Sequence, residues 1–229
     1  MQISPRVFGR ARKLRRDGLE ELFAEVYPAV VRIARGLSGR EDVAEGVVRF
    51  VMTRSVVMVP KWRDETVAER WFLHHAVLTV RRAAPAYAPT ASGDVLVDSP
   101  DPAYVAFVRA VRGLPVQQRE AIVLHFGEHL NSRYMSVAMD CSTDAAQAHL
   151  EAATGTLRGV TGGEFEAMIA RLSNVYVGLG PKAGDLMPAV RRWVKRGLRP
   201  HRLRRAVLAA IGVIVIVGML WVAWKWERG

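Results

Sequence analysis

Residues 206–224, AVLAAIGVIVIVGMLWVAW, run for nineteen positions without a charge. At roughly 1.5 Å per residue, a helix of that length nearly matches the ~30 Å hydrocarbon core of a bilayer. A buried helix is the other way to house such a run, but a small soluble core rarely holds one uncharged for so long. A transmembrane helix is therefore expected. Arg191, Arg192, Lys195, Arg196, Arg199, Arg202, Arg204 and Arg205 precede it with no acid among them. The positive-inside rule then places the N-terminal bulk in the cytoplasm, in a single-pass topology. Arg204 and Arg205 mark the near flank; Trp221, Trp224 and Lys225 mark the far one, where aromatic rings suit the interface. The basic stretch also suits anionic membrane lipid, at about 1 kcal/mol per residue near the surface.

Charge elsewhere is uneven. The chain of 229 residues has a net charge of +11, but residues 1–18 hold six Lys/Arg against one Asp and residues 191–205 hold eight against none. The body between is mildly acidic, so the basic pI does not by itself indicate a nucleic-acid-binding surface. Cys141 is the single cysteine, which excludes an intramolecular disulfide and fits a reducing compartment. The N-terminus lacks the apolar core of a signal peptide.

Periodicity divides the chain into an all-α series. Residues 1–18 form a basic arm with no sustained pattern. Leu22, Phe23, Val26, Val30, Ile33 and Leu37 recur at helical spacing over 19–37. Ser38-Gly39 breaks the pattern, and 40–55 reads as a second helix. Pro60 to Arg63 interrupts again before a third at about 67–84, so 19–84 reads as one small domain. Residues 85–102, PAYAPTASGDVLVDSPDP, read as a flexible tether. A second domain is expected over 103–160. In it, Pro115 suits a first helical turn, Asn131 or Ser132 caps a short helix to Met139, and a turn at Asp140-Cys141 follows. Ser142 then caps a helix whose Ala146, Leu150, Ala153 and Leu157 form a buried stripe. Two helices joined so tightly have the form of a helix-turn-helix. Residues 161–205 read as an amphipathic and basic juxtamembrane segment, with a helix at about 164–177.

Two histidine patterns invite a metal reading. His125-Phe126-Gly127-Glu128-His129 fits H-x-x-E-H. It lacks a third ligand at a recognisable position, and adjacent His74 and His75 point about 100° apart on a helix. No metal, cofactor or catalytic centre is expected.

The run from Leu114 to Arg158 also carries a resemblance. Leu114-Pro115, Arg119-Glu120, Leu124, Glu128, Leu130, Ala138 and Cys141-Ser142 fall in the register of the DNA-binding region of extracytoplasmic-function sigma factors. Glu69 to Arg82 resembles the same family's promoter-melting helix, where aromatic and basic residues interleave. The resemblance spans about Leu19 to Arg158. It implies two small helical domains, a region 2-like bundle and a region 4-like helix-turn-helix, that bind core RNA polymerase and promoter DNA. It assigns polymerase contact to Asp42, Glu45 and Val48, and DNA contact to Trp71, His75, Arg81, Arg82, Ser142, Gln147, His149 and Arg158. With the membrane span, it implies a bacterial inner-membrane transcription factor, with an anti-sigma or other membrane signalling protein as a further partner.

Two departures keep a second reading open. Glu45 and Val48 replace the family's usual Gln and Phe. Between Thr143 and Leu157 there is no Lys or Arg, while Asp144 and Glu151 are present. Non-specific DNA affinity rests on neutralised phosphates, so this helix is expected to bind DNA poorly alone. The alternative is a degenerate sigma-like scaffold at the membrane that binds proteins and no longer reads DNA.

Overall fold

A computed structural model of the chain describes residues 1–83, 93–98, 100–199 and 219, and every regular element among them is helical. In order these are α1 (Pro5–Ala11), α2 (Arg16–Ser38), α3 (Glu41–Met58), α4 (Glu65–Ala83), α5 (Pro102–Gly113), α6 (Val116–Ile122), α7 (Ser132–Met139), α8 (Thr143–Thr161) and α9 (Phe165–Gly178). A further helix, α10, covers 183–199. A π turn at Val123–Gly127 follows α6.

The apolar stripe explains α2. Leu19, Leu22, Phe23, Val26, Val30, Ile33 and Leu37 are all buried. Each such side chain contributes roughly 1.5–3 kcal/mol relative to exposure, which fixes the helix face turned inward. Gly39, at φ 69°, ends the helix in the left-handed conformation, and its N–H bonds the Arg35 carbonyl at 2.8 Å. Helices α3 and α4 pack on α2 to complete the first bundle.

Several expectations are corrected here. The N-terminal arm folds: α1 packs on α2, with Ile3, Phe8 and Ala11 buried, and Glu69 accepts the Ile3 N–H at 2.6 Å. Apolar spacing too short to register as a pattern suffices once a neighbouring helix covers it. The expected tether is fixed over its described C-terminal part. Asp94 and Leu96 are buried, and Val95 N–H bonds the Gly39 carbonyl at 3.1 Å. The two expected domains share one apolar core, because α4 packs against α7 while α2 meets the π turn and α9.

The juxtamembrane segment supplies two core helices. Phe165, Ile169, Leu172 and Tyr176 of α9 are buried, as are Val190, Trp193, Val194 and Leu198 of α10. The Tyr176 ring lies where Gly36 and Gly127 have no Cβ, so two distant helices close on it. No helix among the described residues is long and apolar enough to cross a membrane. The span expected at 206–224 lies outside the described residues, Met219 excepted.

Candidate nucleic-acid and polymerase interface

The helix-turn-helix forms as the caps demand. Asn131 Oδ1 accepts the Tyr134 N–H at 3.0 Å to open α7, and Ser142 Oγ accepts the Ala145 N–H at 3.1 Å to open α8. Between them Asp140 adopts the left-handed conformation, φ 59° and ψ 54°, and Cys141 N–H returns to the Ser136 carbonyl at 3.0 Å. Short Asx side chains tolerate that conformation best among non-glycine residues. Ala146, Leu150, Ala153 and Leu157 face the core, so Asp144, Ala148, Glu151 and Ala152 face out. That outward face carries acids and small residues.

The other expected DNA contacts on or near α8 are occupied locally. Gln147 Oε1 accepts from the Ser132 hydroxyl at 2.7 Å while its Nε2 donates to Glu151 at 2.9 Å. His149 is half-buried. Arg158 donates to Glu166 at 3.1 Å and lies over the Phe165 ring at 4.9 Å.

On α4 the aromatic cluster is partly sheltered. Trp71 is half-buried, 5.1 Å from Trp62, and stacks on His75 at 4.0 Å between centroids. Burial foremost, then the charge of His74, depresses the His75 pKa, which favours the neutral ring. Arg81 corrects the expectation of a free phosphate contact. It is turned inward, forked onto Glu120 at 2.9 and 2.6 Å, and also donates to the Met139 carbonyl at 2.9 Å. Burial pushes the Glu120 carboxyl pKa up against the opposing pull of Arg81. Arg81 thus joins α4 to α6 and α7, and Arg82 is the exposed cation of the pair.

The residues expected to meet polymerase lie on α3. Asp42 is exposed and pairs with Arg40, whose hydrogen bond holds its carboxyl below the usual range. Glu45 is exposed and Val48 is buried. Both acids line a groove of about 350 Å³ closed on its far side by Arg192, Trp193 and Arg196 of α10. Helix α10 is the element that sequence reasoning missed. Its signal is present inside the arginine run: Val190, Trp193-Val194 and Gly197-Leu198 recur at helical spacing.

The H-x-x-E-H residues serve other ends. His125 Nδ1 lies 3.0 Å from the Leu130 carbonyl, and His129 sits at φ 54°. Glu128 accepts a fork from Arg32 at 2.8 and 3.0 Å and the Tyr176 hydroxyl at 3.1 Å. Among the described residues no group of three or more His, Cys, Asp or Glu is placed to hold a metal ion. Arg204, Arg205, Trp221, Trp224 and Lys225 lie outside the described residues.

No protein-family model matches this chain, and no curated protein or solved structure matches it.

Proposed function

We propose that the chain is a membrane-tethered, sigma-like transcription initiation factor that binds core RNA polymerase and promoter DNA and catalyses no reaction of its own. The observation that carries this reading is the doubly capped α7–α8 pair around the left-handed Asp140, a geometry suited to presenting a second helix to a DNA groove. Trp71 and Arg82 on α4 supply the aromatic and cationic chemistry that single-stranded DNA requires. Asp42 and Glu45 offer an acidic face to polymerase. The uncharged run at 206–224 tethers the body to a bacterial inner membrane, with the N-terminal bulk cytoplasmic. In this arrangement Arg81–Glu120 holds α4 against the second half, so engaging two separated promoter elements requires that contact to open.

One observation favours the second reading, a membrane scaffold that binds proteins. The outward face of α8 presents Asp144 and Glu151 and no cation before Arg158. The test uses the full chain in detergent, since truncation at 190 would cut α10 and strip Trp193 and Val194 from the core. Binding to core polymerase, followed by selective run-off transcripts from a promoter library, is the expected result. A folded chain that leaves polymerase unbound supports the scaffold instead.

A further inference from the structure

Three stretches far apart in sequence meet at one end of the first bundle. The α1–α2 turn exposes Arg12, Lys13, Arg15 and Arg16. Arg12 donates to the Arg63 carbonyl at 3.4 Å, which sets the α3–α4 turn, with exposed Lys61 and Arg63, beside it. Arg16 and Arg191 both approach the Glu20 carboxylate, at 2.7 and 3.8 Å, which brings α10 to the same place. Further along α10, Gly197 rests on the Val56 side chain near the end of α3, with no room for a Cβ. Helix α10 therefore runs toward this end, and Arg199 is exposed there.

Acids at this end are outnumbered: exposed Asp17 and half-buried Glu65 stand among the cations, and the other two are paired. Glu20 serves two arginines, and Asp64 is bonded to Arg63 at 2.9 Å. From Arg199 only residues 200–205, outside the described residues, separate α10 from the uncharged run. Six residues span at most about 20 Å, so this end of the bundle never lies far from whatever holds 206–224.

We infer that this basic end is a docking face for an anionic phospholipid bilayer, so that the body sits on the membrane through the α1–α2 and α3–α4 turns. The inference rests on the membrane-tether reading above. Each Lys or Arg near an anionic leaflet raises the docked population about fivefold. Docking also sets orientation. Asp42 lies near the start of α3, roughly 24 Å along its axis from Met58, so the exposed carboxylates of Asp42 and Glu45 are held away from the lipid. Lys182 lies just before α10 begins, at the opposite end.

The test reconstitutes the full chain in nanodiscs of phosphatidylcholine alone or mixed with phosphatidylglycerol, labels lysines briefly with acetic anhydride, and reads each site by mass spectrometry. Labelling of Lys13 and Lys61, relative to Lys182, is expected to fall about fivefold or more in the anionic discs. High salt, or Arg15→Glu with Arg63→Glu, is expected to restore it. Unchanged labelling in a chain that resists alkaline carbonate overturns the docking while leaving the tether intact. Release by carbonate sinks the tether and the docking with it. Protection of both lysines by duplex DNA in neutral discs, without protection in anionic ones, overturns lipid docking in favour of nucleic acid.

Discussion

His75 stacks on Trp71 with its pKa depressed, foremost by burial and next by the charge of His74. The unfolded chain takes up a proton near the ordinary value of 6.5 while the folded chain resists it. The associated stability is therefore present above about pH 6.5 and is lost as pH falls through the lower folded value. His75→Phe keeps a ring on Trp71 and removes the titration. Thermal midpoints followed between about pH 8 and about pH 5 should fall less in the variant than in the parent; equal slopes would refute the assignment. Arg81 and Arg82 show the limit of reading single residues from sequence. Both appear as basic residues ending an amphipathic helix, yet Arg81 forks onto Glu120 and Arg82 faces solvent. The partner lies 39 positions away, and no local pattern names it.

At the scale of elements, the segment expected to be a tether acts as a clip. Arg112 of α5 is buried, forks onto Asp94 at 2.7 and 2.9 Å, and donates to the Gly36 and Leu37 carbonyls at 2.7 and 3.1 Å. It thereby satisfies carbonyls that the end of α2 leaves without helical partners. Asp94→Ala leaves that guanidinium buried without its main counter-charge and is expected to cost about 3–5 kcal/mol, measured by denaturant unfolding. A loss below about 1 kcal/mol would mean the clip is not structural. Composition alone made 85–102 read as a linker, because Pro, Ala, Ser and Asp dominate it. A single Asp aimed at a buried Arg is invisible to composition.

Across the whole molecule, α4 against α7 and Tyr176 between Gly36 and Gly127 join both halves into one core. Native-state hydrogen exchange is therefore expected to give the slowest amides of α2, α4 and α7 one common opening free energy. Two separate values for 19–83 and 103–161 would restore the two-domain picture. The sequence by itself determined the helices with sustained stripes or clear caps, α2, α7 and α8 among them, because burial stripes at 3.6-residue spacing and the caps at Asn131 and Ser142 are local chemistry, legible within a few turns. It also determined the tight turn at Asp140 and the acidic outward face of α8. Only the tertiary structure decided that the arm is α1, that α10 closes over α3, and that the basic residues of 12–16, 61–63 and 191–199 gather at one end. Those facts depend on contacts between residues tens to more than a hundred positions apart. Such pairings follow from which faces are left to cover when the helices pack, and the periodicity of each helix alone does not specify its partner.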